Sequence, residues 1–424
     1  MDARKFLFTS APLPGHLDWG GYLKTAAQLS RWGHDALWVS EEPVRATVES
    51  AVVRFRAVEA IGWRWPPAQL PIDLKPGERA AARLQRALVV IMSEDAIVHA
   101  VDNLLVVAHE FKPDILIGEP TVGAAALAAE VLNVPYAVCG YPATRHDPET
   151  LGEAERAVYQ DAAARLKDLI ARLDVGGRNW PSELSPWPQS PDLHVVYWTR
   201  EWYADESDVL PQTRFVGGGV SPPRGDAPDW FDRLPQGMPL ALVTLGSLFT
   251  DDPDFFILAA HACARAGVFP IVAMGRSERA PNLKQVIAAR LPRCIAVAWV
   301  DYDHLFPRLS VAVHHGGMGT THAAVVHGVP QVIVPHAADQ SLQALRAEAS
   351  GVGLTLRPKE ATLDALQHAV ETAVRDPGYS IRARSLAASF AAAGGAPEAA
   401  RQIAECSGAS RLTTPARRGM IRGH

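Results

Sequence analysis

The sequence predicts an α/β protein built from two doubly wound, parallel-sheet domains. Three observations carry this. Short apolar, β-branched runs alternate with helical periodicity in both halves. The alternation breaks once, in a Gly/Pro-rich stretch near the middle, and then restarts. The 424 residues exceed what one core usually serves, at roughly 150 residues per domain.

In the first half, KFLFTS, ALWVS, DILIGE and YAVCGY read as buried strands. Tyr22 to Trp32 reads as a helix stopped at Gly33, and Thr121 to Leu132, mostly alanine and leucine, as the helix joining DILIGE to YAVCGY. The Pro-rich stretch from Pro181 to Pro191 is a loop, and the strand-like LHVVYWT follows it. Residues 1–216 therefore form an N-terminal domain, and 217–238, with GGGVSPPRGDAPDW, an interdomain linker. Residues 239–406 restart the pattern with LALVTLGS, a helix from about Pro253, then FPIVAMG, CIAVAW, VAVHHGG and QVIVP. The tail 407–424 lacks periodicity and is expected to be disordered.

Composition narrows the function. Apolar residues at 48% and charged residues at 21% are those of an ordinary globular chain. A net charge of −5 with no basic stripe argues against nucleic acid as partner, so a nucleotide would be a small ligand. Cys139, Cys263, Cys294 and Cys406 form no CxxC pair, which argues against a zinc site or disulfide framework and fits a reducing cytoplasm. The N-terminal apolar stretch is too short for a signal peptide. No run approaches the roughly 18 to 20 apolar residues of a spanning helix; peripheral contact with a membrane surface stays open.

The most informative segment runs from Trp299 to Gln340, WVDYDHLFPRLSVAVHHGGMGTTHAAVVHGVPQVIVPHAADQ. A buried strand, VAVHH, breaks into Gly316, Gly317 and Gly319, and a helix begins near Thr320. Such a turn lets backbone approach a ligand closely and offers unpaired amides at the positive end of a helix. It reads as a phosphate cradle, with His315 at the strand's carboxyl end, or, taken alone, as a plain tight connection. Asp339 reads equally as a helix cap, and Trp299 equally as a core aromatic.

The Trp opener, the HxGxGT-like block, Gly328-Val329-Pro330, Pro335 and Asp339-Gln340 together resemble the donor motif of family 1 glycosyltransferases of the GT-B fold. The resemblance extends from Lys5 to about Cys406. It implies two facing Rossmann-like domains, acceptor in the first and nucleotide sugar in the second, with the last helices returning to the first domain. It further implies that Trp299 meets the base, that His315, Gly317, Met318, Gly319 and Thr320 hold the pyrophosphate, and that Asp339 and Gln340 bind the sugar hydroxyls. Ser247, in the turn after LALVTLG, can reach a phosphate oxygen; Thr250 reads as a helix cap.

An inverting transfer to a hydroxyl needs a base, and histidine titrates near neutrality. Among 15 histidines, His16 follows Gly15 in the loop after the first strand, and the resemblance aligns it with the family's base. A carboxylate normally orients such a histidine. The family's aspartate is replaced here by Glu119, one methylene longer, which also reads as a cap for the helix near Thr121. Asp18 and Asp114 are competitors, the latter at the wrong end of its strand. The loop after His16 departs from the family too, with Trp19, Gly20 and Gly21 where a proline often stands. Trp63, Trp65, Trp180 and Trp187 admit an aromatic acceptor cleft or plain core packing.

The expectation is an inverting, metal-independent glycosyltransferase using a UDP- or dTDP-sugar as co-substrate, with no permanently bound cofactor and a small, largely apolar acceptor. The alternatives are an epimerase on the same fold and a non-catalytic binder. Ala323 stands where many UDP-sugar users carry a ribose-binding glutamate, which shifts the expectation toward dTDP; His322 is the fallback partner for a ribose.

Overall fold

The computed structural model describes residues 3–64, 76–145, 152–180, 185–223, 225–246, 252–275, 280–290, 293–336 and 338–406. The first half contains β1 (Lys5–Thr9), α1 (Tyr22–Arg31), β2 (Asp35–Ser40), α2 (Arg45–Ser50), β3 (Arg54–Ala57), α3 (Pro76–Ile91), α4 (Glu94–Phe111) and β4 (Ile115–Gly118). It continues with α5 (Gly123–Leu132), β5 (Tyr136–Cys139), α6 (Glu153–Leu173), β6 (Leu193–Val196) and β7 (Thr213–Phe215). The second half runs β8 (Leu240–Thr244), α7 (Pro253–Arg265), β9 (Phe269–Ala273), α8 (Ala280–Arg290), β10 (Ile295–Val297), α9 (Tyr302–Leu305), β11 (Val311–His314), α10 (Met318–Val326) and β12 (Gln331–Ile333). It ends in α11 (Ala338–Ala349), β13 (Gly353–Thr355), α12 (Leu363–Arg375), α13 (Pro377–Ala392) and α14 (Gly395–Glu405).

Two parallel sheets result, in orders β3-β2-β1-β4-β5-β6-β7 and β10-β9-β8-β11-β12-β13. Every residue of β4, β5, β8 and β11 is buried, as expected for strands covered on both faces. The strands not anticipated from the sequence, β3, β7 and β13, all lie at sheet edges. Edge strands are short and polar, so they lack the apolar run that marks a central strand; RFRA and TRF show this. Helix α1 ends as expected at Gly33, whose φ of +86° reverses the chain while the His34 amide donates to the Leu29 carbonyl at 3.1 Å. The cap of α7 is Asp252, which accepts the Phe255 amide at 3.0 Å; the expected cap, Thr250, lies outside the described residues.

Helix α14 crosses back to the first sheet. Its Ala399, Ala400, Ile403 and Ala404 are buried in one cluster with Phe6, Phe8 and Tyr22. A second junction is apolar: Trp198 and Trp202, in the segment following β6, are buried with Val325, Ile333, Ala344, Ala347 and Phe390 of the second half. Arg346 closes it, bonding Asp205 and Glu206 at 2.9 Å each from Nη2. Within the stretch 217–238, Phe231 belongs to the second-domain core. Among the described residues no helix is long and apolar enough to cross a membrane.

Candidate active site

Each sheet reverses its strand order once, between β1 and β4 in the first and between β8 and β11 in the second. A reversal leaves a crevice at the carboxyl edge, because the connections on its two sides leave in opposite directions. The polar groups singled out by sequence gather at these two places. His16 and Glu119 follow β1 and β4, whose last residues pair in parallel register, Thr9 with Gly118. Gly246 and His315 follow β8 and β11, paired His314 with Thr244.

Pro14–His16 is a single 3-10 turn, which brings His16 over the end of β4. Its Nδ1 lies 3.0 Å from Glu119 Oε1. Glu119 is fully buried, yet its acceptor capacity is used: Oε1 accepts from the Ala11 amide at 3.1 Å and the Thr121 hydroxyl at 2.7 Å, and Oε2 from the Thr121 amide at 2.8 Å. Burial pushes its pKa up, but the His16 charge and the hydrogen bonds of His16 and Thr121 together hold it below the ordinary value. The longer glutamate therefore orients the histidine, and its second oxygen binds the Thr121 amide; the cap role weighed beside it is not taken, because α5 starts only at Gly123 and has no side-chain cap bond. Asp18 is used differently, its carbonyl accepting the Gly21 and Tyr22 amides, and Asp114 binds the Lys5 amide at the opposite edge. Two indole rings meet His16 edge-on, Trp19 at 5.6 Å and Trp63 at 5.0 Å. Trp180 and Trp187 belong to the first-domain core instead, and Trp65 lies outside the described residues.

In the second crevice α10 begins at Met318, with Gly317 as its cap in extended backbone, slightly earlier than the expected start near Thr320. The first amides of the helix, from Met318 onward, have no intrahelical carbonyl to bind. His314 sets the turn: its Nδ1 accepts the Gly316 amide at 3.0 Å, so its Nε2 carries the proton donated to Gln331 at 2.9 Å. His315 is 6% exposed, and its Nδ1 is buried with no partner. Burial, then the charges of His314 and His336, push its pKa down to about 3, so the ring is neutral. A Cβ on Gly246 or Gly317 would strike this ring, whereas one on Gly319 would meet nothing within 4 Å. Gly246 and Gly317 thus seat the imidazole, and Gly319 faces open space.

The remaining expected residues are placed unevenly. Trp299 follows β10 and is 51% exposed, which does not fit a core aromatic. Thr320 is buried, its hydroxyl 2.9 Å from that of Tyr302. The Met318 side chain packs against the cluster around β1 and against the junction of the two halves. Gln340 is buried and its Oε1 accepts the His336 amide at 2.8 Å. Ser247 lies outside the described residues, as does the side chain of Asp339 in the first turn of α11. His322 is not available to a ribose: it is buried, with Nε2 2.7 Å from the Tyr197 carbonyl. Thr121, which braces Glu119, escaped the sequence reading; its only signal is its place two residues after the acid.

Residues 279–406 match the family model described as erythromycin biosynthesis protein CIII-like, C-terminal domain. The chain is 23% identical to the 4'-demethylrebeccamycin synthase of Lentzea aerocolonigenes over 92% of its own length and 96% of that protein. It superposes on the glycotransferase of kitacinnamycin with a TM-score of 0.73 at 22% identity, covering 95% and 98% of the two chains. The spinosyn rhamnosyltransferase SpnG complexed with thymidine diphosphate gives a TM-score of 0.70 at 16% identity, over 95% and 100%. With its two switch points on paired parallel sheets, the chain has the GT-B fold of these glycosyltransferases, and its residues 279–406 match the erythromycin CIII-like C-terminal domain.

Proposed function

We propose that this protein transfers a sugar, with inversion, from a dTDP-sugar to a hydroxyl of a small, largely apolar natural product. The observation that carries the reading is the His16 Nδ1 to Glu119 Oε1 contact of 3.0 Å. It commits Nδ1 and leaves Nε2 to take the acceptor proton. The acceptor lies in the first domain, against the Trp19 and Trp63 edges. The diphosphate lies at the start of α10, where helix amides and the unpartnered His315 Nδ1 stabilise the departing charge. The hydroxyl oxygen attacks the anomeric carbon from the face opposite the diphosphate while His16 removes its proton. Preference for dTDP is supported by Ala323, which cannot bind a ribose hydroxyl, and by the thymidine diphosphate named for the spinosyn enzyme. The test is product formation from dTDP- and UDP-sugars with a panel of hydroxylated aromatics and macrocycles, the anomeric configuration read by NMR. Retention of configuration, or no transfer with any pair, would reject the reading.

A further inference from the structure

His322 lies between the two halves of the machinery without belonging to either. It stands in the second turn of α10, and its ring is held by groups from elsewhere in the chain. Nε2 is 2.7 Å from the Tyr197 carbonyl, which only accepts, so Nε2 carries the proton. The ring meets Trp198 edge-on at 5.1 Å and Phe390 at 6.0 Å. Burial pushes its pKa down to about 4, so it acts as a neutral donor.

Glycines make room for it. A Cβ on Gly20 or on Gly218 would come within 2.6 Å of the His322 ring, and one on Gly21 within 2.7 Å of the Tyr197 ring. Gly20 also has a φ of +93°, where other residues are strained. The Trp19-Gly20-Gly21 departure noted in the sequence is therefore a socket for the Tyr197–His322 pair. It is the same turn that carries the base: Asp18 receives the Gly21 and Tyr22 amides at 2.6 Å each. Trp19, next to Gly20, meets His16 edge-on at 5.6 Å.

We propose that His322 is a positioning residue, keyed into the Gly20 and Gly218 socket, which sets His16 against the anomeric carbon of a donor held at the start of α10. This rests on reading His16 as the base and α10 as the diphosphate seat. Both ends of the contact lie on elements that carry reacting groups, so a shift of the ring moves base relative to donor without touching either ligand.

The experiment compares His322→Ala, His322→Leu and His322→Gln for kcat, acceptor KM, thymidine diphosphate affinity and Tm. Ala and Leu should lower kcat at least tenfold while thymidine diphosphate affinity stays within twofold. Gln, whose amide can still donate to the Tyr197 carbonyl, should recover most of kcat. If Ala fails to fold, Leu, which refills the socket, carries the comparison with Gln. A kcat within twofold of the parent in Leu overturns the proposal. So does a joint fall of kcat and affinity that Gln does not restore, since that marks general loosening. His16→Ala, measured in parallel, separates the two ideas: full turnover there removes the reading itself, while loss there with an unimpaired His322→Leu removes only the positioning role.

Discussion

At His16 one ring nitrogen is committed to Glu119, and the chemistry follows from which one. Because Nδ1 faces the carboxylate at 3.0 Å, a proton can arrive only at Nε2. His16→Ala should therefore lower kcat by about 10²- to 10⁴-fold and leave thymidine diphosphate affinity intact, since the proposed nucleotide site is at the start of α10, beside the other sheet. Glu119→Gln should cost roughly as much, up to about 10⁴-fold, because an amide can donate to Nδ1 and select the wrong tautomer. Steady-state rates with calorimetry on both variants check this; wild-type turnover in either would remove the assignment. The pH sign is also set: Glu119, held below its ordinary value of 4.5, stabilises the fold above that value and loses this as pH falls through its folded pKa. The family resemblance points to Glu119 as the carboxylate beside His16, and the two side chains meet at 3.0 Å. Thr121 was not legible, since nothing local distinguishes a bracing threonine from any other.

At the scale of an element, α10 separates contacts that serve the protein from those left for a ligand. A Cβ at Gly319 meets no protein atom, and alanine is the better helix former by about 1 kcal/mol. Gly319→Ala should thus keep or raise Tm while weakening thymidine diphosphate binding at least tenfold, because the methyl enters the space where the proposed site seats the phosphate. Thermal melts with calorimetry decide; undiminished affinity would place the phosphate elsewhere. Ala323, farther along the helix, packs partly buried against the cluster of Phe231 and Val300. Thymidine diphosphate should compete at least as well as UDP for the parent enzyme, and Ala323→Glu should shift the ratio toward UDP by about 1 to 3 kcal/mol. A clear UDP preference in the parent would overturn this, and His322, already bound to Tyr197, could not be the explanation. The turn itself was legible from its glycines. Which glycine faces the histidine and which faces the cleft depends on backbone that only folding brings close.

Across the whole molecule, histidine burial ties stability to pH. His194, His314 and His322 are each pushed down to about 4, and His315 to about 3, chiefly by burial. The unfolded chain takes up these protons near the ordinary value of 6.5, whereas the folded chain does not, so stability falls as pH drops from 6.5 toward 4. Each site contributes at most about 1.4 kcal/mol per pH unit across that window. Tm should therefore decline steeply between pH 6.5 and 4.5, and His194→Gln, outside both crevices, should flatten the decline. A Tm constant over that range would contradict the neutral burial of these rings.

By itself the sequence determined the local and the contiguous. Central strands announce themselves because burial on both faces demands unbroken apolar runs. The glycine turn before α10 announces itself because its glycines and the helix start are adjacent in the chain. Of the edge strands, β10 was legible from its apolar CIAVAW, whereas β3, β7 and β13 carried no such mark. Tertiary structure alone decided what joins distant segments: that Glu119 reaches His16 despite its extra methylene, that Trp198 and Trp202 bury themselves in the second half, and that His322 fits a socket formed by Gly20 and Gly218. In each case the partners are far apart in the chain, and whether they meet depends on how two sheets and their connections pack, which no periodicity or spacing encodes.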